Sequence, residues 1–178
     1  MKAVIPQDFH VHAKTFGCAL NGVENPTTSI VKGMSFIFVR LETLEELVKA
    51  EESGNLNGET YDPSLLDQGW RVGLVGTMYF VPRGRDEFGR SKYRTRMFGS
   101  REDPGTGSAS SALACYLAGL EPKEAGKGPV KFVFEQGVEI GRRNQIEVEV
   151  TRGDGGEGVE KVVLSGAAVT VMEGSLQI

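Results

Sequence analysis

The chain of 178 residues has few cysteines, no long apolar run and no cluster of basic residues. Two cysteines, Cys18 and Cys115, cannot build the disulfide framework of a small secreted protein. Nucleic acids and acidic membranes require a basic patch, and the net charge here is −4. No stretch approaches the ~20 apolar residues of a membrane span, and the first residues do not resemble a secretory signal. We therefore expect a cytoplasmic protein with no nucleic-acid or membrane partner.

Glycine, by contrast, is abundant, with 24 residues against an average usage of about 7%. Such a density indicates many turns between short strands. Seven segments have the aromatic, β-branched or alternating composition of strands. They are residues 34–41, 70–81, 93–98, 130–136, 145–151, 159–164 and 167–172. We expect the last two to form a hairpin around Ser165-Gly166.

Two helices are indicated before the middle of the chain. Thr43 and Glu46 form a capping box, in which each side chain accepts a hydrogen bond from the backbone N–H of the other residue. Gly54 is a plausible stop for this helix. Asp62-Pro63 has the composition of a second helix start, because proline suits the first helical position.

A third helix, Ala109 to Leu117, is small or apolar nearly all round, which is typical of a helix buried on every side. Cys115 lies two turns into it and is expected to be an inert core residue. Many short strands can cover such a helix. The predicted fold is therefore α+β: a mixed, barrel-like sheet wrapped around one buried central helix.

The turn before this helix, Glu-Asp-Pro-Gly-Thr-Gly-Ser over residues 102–108, carries the strongest chemical signal. The first N–H groups of a helix have no internal partner and lie at the positive end of its dipole, so they bind anions such as carboxylates. Glycines let a ligand approach the backbone closely. Ser108 is expected to cap the helix and to offer its hydroxyl to a ligand, with the Asp103 carboxylate nearby. Taken alone, the turn is also consistent with a helix cap and nothing more.

The wider pattern resembles a known family. Arg96-Met97-Phe98 followed by residues 102–109 is similar to the hallmark of the PhzF-like isomerases of phenazine biosynthesis. Phe134-Glu135-Gln136-Gly137, Gly141-Arg142 and the closing segment 162–176 resemble further motifs of that family. The resemblance spans residues 33–176.

The resemblance implies the fold of diaminopimelate epimerase, with two similar domains that hold the substrate between the starts of their central helices. It implies an isomerase that moves protons on a small carboxylate, trans-2,3-dihydro-3-hydroxyanthranilate in the characterised member, without cofactor or metal. Carried over by position, Asp103 would be catalytic, binding polar groups of the substrate and helping to manage protons. The substrate-binding residues would be Gly105, Thr106, Gly107 and Ser108.

The sequence also departs from this pattern. The family follows Gly-Arg with Pro-Ser, whereas Arg143-Asn144 stand here. The Gly-Asn-Pro motif, the general acid/base glutamate and the Gly-His turn of the first domain are not found, and Asn25-Pro26 follows a glutamate. We therefore expect residues 1–32 to be an arm or remnant of that domain, and residues 33–178 to be the C-terminal domain.

Two functions remain open on these observations. The first is the C-terminal half-site of a PhzF-like isomerase. The second is a catalytically inactive, truncated homologue that acts as a binding or oligomerisation module. In either case a homodimer or a complementary half-domain is expected, because a half-protein exposes apolar surface that its sister domain would cover.

Three other sequence features bear on alternative chemistries. Related epimerases place a reactive cysteine where Pro104 stands, so that chemistry is excluded. His10 and His12 have the spacing that puts two imidazoles on one strand face, but without a convincing third and fourth ligand we predict a surface or linker pair and no metal site. Arg94 and Arg96 either steer an anionic substrate or belong to a solvated strand edge.

Overall fold

The computed structural model describes residues 2–5, 8–50, 64 and 66–175. The predicted helix stop at Gly54 and the predicted helix start at Asp62-Pro63 lie outside these residues. The described strands are β1 (Lys2–Ile5), β2 (His10–Val11), β3 (Phe16–Cys18), β4 (Val23–Asn25), β5 (Thr27–Val31), β6 (Met34–Arg40), β7 (Leu74–Arg85), β8 (Ser91–Phe98), β9 (Glu102–Asp103), β10 (Val130–Gln136), β11 (Asn144–Arg152) and β12 (Val159–Gly166). The helices are α1 (Leu44–Lys49) and α2 (Gly107–Leu120), with short 3-10 turns at Lys123–Ala125 and Asp154–Gly156.

One mixed sheet contains most of these strands, in the order β1-β12-β11-β10-β8-β7-β6-β5-β2, with β9 added to β8. The pairs β6–β7 and β8–β10 are parallel, and the other neighbours are antiparallel. β3 and β4 form a separate two-stranded sheet. The segment 1–32, predicted as an arm, contributes β1 and β2 to the two ends of the large sheet and β5 beside β6.

Helix α2 occupies the centre of the fold. It packs against β5 and β6 from one half of the sheet and against β10, β11 and β12 from the other half, so the sheet curls around it. Most of its residues are buried, as its composition predicted. The strand side chains that pack around α2 are mainly aromatic and β-branched: Phe36, Phe38, Met78, Phe80, Phe132, Phe134, Val148, Val150 and Val162. The predicted α+β fold, a mixed sheet wrapped around one buried helix, is confirmed.

The opposite face of β6, β7 and β8 carries a second core. Ile37, Val39, Tyr79, Val81 and Phe98 pack there with Leu47 of α1. The predicted capping box of α1 is confirmed: the Glu46 N–H donates to Thr43 Oγ1 at 3.2 Å, and the Thr43 N–H donates to Glu46 Oε2 at 3.0 Å. The backbone hydrogen bonds from Thr43 and Glu42 lower the pKa of Glu46.

The predicted hairpin at the end of the chain does not form. β12 extends from Val159 to Gly166, and residues 167–175 carry no strand. The reason lies in the sheet order, because β12 is already paired with β11 on one edge and with β1 on the other. A following strand therefore has no free edge of β12 to pair with. No helix in the described ranges is long and apolar enough to cross a membrane.

Candidate functional site

The predicted substrate turn joins the sheet to the start of α2. β9 pairs with the end of β8, placing Asp103 opposite Met97, and the chain then leaves the sheet and enters α2 at Gly107. Asp103 is half-buried at the base of the turn, and Gly105 is exposed at its tip.

Asp103 holds the turn together through both carboxylate oxygens. Oδ1 accepts the Gly105 N–H at 3.2 Å, and Oδ2 accepts the Thr106 hydroxyl at 2.6 Å. Such bonds from an aspartate to the residues that follow it stabilise tight turns. Each carboxylate oxygen keeps a lone pair for a further donor. The Asp103 carboxylate is therefore fixed in position and can still accept a hydrogen bond from a ligand.

Gln136, at the end of β10, braces the same turn from the sheet. Its Oε1 accepts the Thr106 N–H at 3.0 Å, and its Nε2 donates to Thr106 Oγ1 at 3.0 Å and to the Asp103 carbonyl at 2.6 Å. The side chain is fully buried. From the sequence alone, Gln136 was recognised only as part of the family motif at residues 134–137, and its role in the turn was not predicted. The signal that could have identified its role is the alternation of Val130, Phe132 and Phe134, which places Gln136 at the next inward position of the strand.

The helix start differs from the predicted one. Thr106, not Ser108, is the N-cap residue, and its side chain makes no capping bond because its hydroxyl is held by Asp103. Ser108 is instead the second residue of the helix, half-buried. Within the described residues its hydroxyl has no hydrogen-bond partner. The predicted capping role of Ser108 is therefore wrong, and its hydroxyl is free to bond a ligand.

Backbone N–H groups remain available at this helix start. The first intrahelical donor is the Ser110 N–H, which reaches the Thr106 carbonyl at 3.0 Å, and the Thr106 N–H is taken by Gln136. The N–H groups of Gly107, Ser108 and Ala109 cannot reach an intrahelical acceptor. They also lie at the positive end of the dipole of α2. This arrangement suits an anion such as a carboxylate.

Two clefts flank the turn. The smaller cleft, of about 260 Å³, is lined by Gly105, Gly107 and Leu164 among others. The larger cleft, of about 600 Å³, includes Arg101 and Asp103 in its lining. A small ligand can therefore reach the turn from both sides.

Asn144 supports the turn between these clefts. Its Nδ2 donates to the Pro104 carbonyl and to the Arg142 carbonyl, both at 2.8 Å. Asn144 belongs to the pair that departs from the family's Gly-Arg-Pro-Ser pattern. Although Asn144 differs from the family motif, its side chain fixes the backbone of the predicted substrate turn.

The family model described as "Phenazine biosynthesis-like protein" (PhzC-PhzF) matches residues 12–174. The chain belongs to this family. Membership confirms the resemblance drawn from residues 96–109. No curated protein matches the sequence.

A solved structure of the PhzC-PhzF family supports the fold. The chain is similar to the crystal structure of the Bacillus anthracis phenazine biosynthesis protein of the PhzF family, with a TM-score of 0.64 and 19% sequence identity. The match covers 99% of this chain and 60% of that chain. At this identity the likeness shows the fold alone. The chain spans about 60% of the length of that PhzF relative.

Neither arginine of β8 has the role expected from the sequence. Arg96, 1% exposed, binds Glu102 through Nε at 2.9 Å and Nη2 at 2.6 Å, and its Nη1 donates to the Val48 carbonyl at 2.8 Å. Arg94 pairs with Glu135 and Glu139. Both guanidinium groups are thus engaged within the fold, so the predictions of substrate steering and of a solvated edge are both wrong. Glu102, locked in a bidentate ion pair, is also unsuited to act as a base.

The remaining reactive side chains lie away from the turn. Cys115 is fully buried, and burial raises the pKa of its thiol to about 12, as expected for an inert core residue. His12 is buried rather than at the surface. Burial lowers the pKa of His12, and the neighbouring His10 lowers it further, while Asp67 acts in the opposite direction.

Proposed function

We propose that this PhzC-PhzF protein binds a small carboxylate metabolite at the start of α2 and supplies that half of a cofactor-independent isomerase site. The observation that carries the proposal is the set of three backbone N–H groups, at Gly107, Ser108 and Ala109, that no intrahelical acceptor can reach. They follow directly in the chain after Gly105 and Thr106, which hold the carboxylate of Asp103. The reaction class, proton transfer on a phenazine-type precursor, comes from the family.

The carboxylate of the substrate would accept hydrogen bonds from the N–H groups of Gly107 and Ser108 and from the Ser108 hydroxyl. Gly107 matters because a β-carbon there would stand 2.8 Å from Leu164 Cδ2, in the smaller cleft. Glycine at this position therefore lets Leu164, which lines the cleft, pack closely against the start of α2. Gly105 lines the same cleft.

Asp103 would accept a hydrogen bond from an amine or hydroxyl of the substrate and take part in moving its proton. Its carboxylate is held by two donors of the turn, so its position is set before a ligand arrives. Preorganised polar groups of this kind favour catalysis because they need not reorganise during the reaction. Thr106 is better described as a positioning residue, because both its N–H and its hydroxyl are engaged.

The general acid/base of the reaction would lie outside this half-site. Glu102, the carboxylate next to the turn, is paired with Arg96. A complementary half-domain would bring the missing glutamate against the turn, because a second copy of this chain lacks that residue too. The solved relative is longer than the part that this chain matches, which supports a two-part site.

Ligand binding at the turn can be tested by NMR. We would titrate ¹⁵N-labelled protein with 3-hydroxyanthranilate, a stable relative of the family's substrate, and follow the amide signals of Gly107, Ser108 and Ala109. Saturable shifts are expected in these signals. They should weaken in Ser108→Ala and in Asp103→Asn, because each substitution removes one polar partner.

Two matched variants serve as controls. Ser91→Ala removes a serine hydroxyl at the opposite end of β8, and Asp154→Asn removes an exposed carboxylate far along the chain. Both should bind like the wild type. Absence of any shift up to the ~mM range of weak small-ligand binding, with the fold intact, would contradict the proposal.

A second candidate function is a catalytically inactive homologue that serves as an oligomerisation module. The observation in its favour is the row of exposed apolar side chains after β12, at Val169, Val171 and Met172. Patches of this kind are typical of interaction sites. Analytical ultracentrifugation should then give a dimer that Val169→Ser/Val171→Ser disrupts. A dimer of this kind that binds no 3-hydroxyanthranilate would favour this function over the first.

A further inference from the structure

A cluster of two histidines and an aspartate lies in a part of the fold that the isomerase proposal does not use. His10 and His12 come from β2 and the residue that follows it, and Asp67 comes from the segment before β7. The potential ligand atoms of these three side chains all lie within 4.8 Å of one another. The sequence offered no third ligand for the histidine pair, and the fold supplies one.

His12 is oriented as a ligating histidine would be. Its Nε2 is 2.9 Å from Ser29 Oγ, which in turn lies 2.7 Å from Ser35 Oγ. When Nε2 donates to Ser29, Nδ1 is left without a proton and faces Asp67. Nδ1 lies 3.7 Å from Asp67 Oδ2 and accepts the Asp67 N–H at 3.2 Å. A hydrogen bond from the far ring nitrogen of this kind commonly fixes the tautomer and the ring orientation of metal-binding histidines.

His10 and Asp67 complete the cluster on its open side. His10 Nε2 is 2.7 Å from Asp67 Oδ2, and the His10 ring stacks on Trp70 with centroids 4.8 Å apart and planes 6° from parallel. The side chains of His10 and Asp67 are 35% and 32% exposed, whereas that of His12 is buried. An ion from solvent can therefore reach the cluster from the side of His10 and Asp67.

Ser29, His12 and Asp67 resemble a Ser-His-Asp triad, but they cannot act as a hydrolytic triad. Ser29 is fully buried in β5 and bonded to Ser35, so no substrate carbonyl can reach its hydroxyl. In addition, His12 Nδ1, which faces Asp67, accepts the backbone N–H of Asp67. In a triad that nitrogen would have to donate to the aspartate.

We propose that His10, His12 and Asp67 form a binding site for a divalent transition-metal ion such as Zn²⁺. Two imidazoles and one carboxylate are ligands that zinc uses when one position stays open to water. Ligands at about 2.0–2.2 Å from the ion in a tetrahedral site stand roughly 3.4 Å apart, so ligand atoms that are now up to 4.8 Å apart must approach one another by about 1 Å or more. Part of this approach comes from movement of the His10 side chain, which is 35% exposed. The rest comes from Asp67, whose backbone N–H must leave the single lone pair of His12 Nδ1. The ion displaces the hydrogen bonds that Asp67 makes with the two histidines.

The test is direct because the chain contains two histidines and one tryptophan. Protein without a histidine tag would be titrated with ZnCl₂ by calorimetry, and with NiCl₂ while Trp70 fluorescence is recorded. We expect one Zn²⁺ per chain and quenching of Trp70 by Ni²⁺, because His10 stacks on that indole.

Variants identify the ligands. His10→Ala and Asp67→Asn, which change half-exposed side chains, should each abolish Zn²⁺ binding and Trp70 quenching. Ser29→Ala should weaken Zn²⁺ binding about 10-fold or more, as loss of a partner behind a ligand does. Asp8→Asn, an exposed carboxylate two residues before His10, is the matched control and should bind Zn²⁺ like the wild type.

Two outcomes would overturn the proposal. One is a folded wild-type protein, judged by circular dichroism, that gives neither heat with ZnCl₂ nor a change in Trp70 fluorescence with NiCl₂. The other is Zn²⁺ binding that persists in both His10→Ala and Asp67→Asn, which would place the ion elsewhere. Neither measurement depends on isomerase activity or on ligand binding at the turn before α2.

Discussion

Gln136 holds Thr106 from two sides, accepting its backbone N–H and donating to its hydroxyl, both at 3.0 Å. This pair explains why the start of α2 is open to a ligand. The Thr106 hydroxyl, held between Gln136 and Asp103, does not fold back onto the helix to cap it. The N–H groups of the first turn are left for an anion.

Replacement of Gln136 by leucine should therefore destabilise the protein. The substitution keeps the side chain's size but leaves the Thr106 N–H and the Asp103 carbonyl without their partner in a buried place. Unpaired buried polar groups cost about 1–3 kcal/mol each. Urea unfolding measures the loss. Gln145→Leu, at an exposed position of β11, should change the free energy of unfolding little; equal effects of the two substitutions would contradict this role of Gln136.

Gly137 should tolerate alanine less well than Gly141 does. Both have a positive φ, 74° and 69°, so each substitution carries a backbone penalty of about 1–2 kcal/mol. A β-carbon at Gly137 would also stand 2.5 Å from the Arg142 carbonyl oxygen and 2.7 Å from the Pro104 carbonyl oxygen, whereas at Gly141 it meets nothing within 4 Å.

The difference in stability between the two variants measures the cost of the close approach of Gly137 to the backbone of Pro104 and Arg142. Thermal unfolding should give a lower Tm for Gly137→Ala than for Gly141→Ala. Amide signals of residues 105–108 should shift in the first variant alone. Equal stabilities would mean that the backbone near Pro104 moves aside at little cost.

Arg96→Met should be strongly destabilising. It removes the guanidinium that pairs with the nearly buried Glu102 and binds the carbonyls of Leu47 and Val48 at the end of α1. Removal of one partner of a buried ion pair costs about 3–5 kcal/mol. The double variant Arg96→Met/Glu102→Gln should regain part of this loss, because no buried charge is left unpaired. Arg101→Met, at an exposed position, is the control for chemical denaturation.

Cys115 should make the stability of the protein fall at alkaline pH. Burial raises the pKa of its thiol from 9.0 to about 12, so the folded state keeps the proton that the unfolded chain releases first. This contribution is fully present below about pH 9 and is lost as the pH rises toward 12.

The free energy of unfolding should be measured as a function of pH in the Cys18→Ser variant. In this variant Cys115 is the one remaining thiol. Cys18→Ser/Cys115→Ala should be less stable at neutral pH because of the cavity left in the core, but it should lose less stability across the alkaline range. Parallel pH profiles in the two variants would show that the Cys115 thiol does not titrate differently in the two states.

Local patterns in the sequence determined the main elements. The alternation in residues 130–136 and 145–151, the capping box at Thr43 and the absence of a polar face on α2 each follow from interactions within a few residues, so they could be predicted from the sequence. The turn that we propose binds substrate could also be located, because glycines, a serine and an aspartate before a helix have the same properties in any fold.

The tertiary structure alone decided which of these groups are free and which are engaged. Gln136 meets Thr106 across 30 positions of sequence, Arg96 meets the carbonyl of Leu47 across 49, and His10 meets Asp67 across 57. β1 occupies the edge of β12 from the other end of the chain, and this excludes the predicted hairpin. These partners are set by the order and register of the strands in the sheet. A pattern read over neighbouring residues carries no information about that order, because any strand of suitable composition can pair with several others.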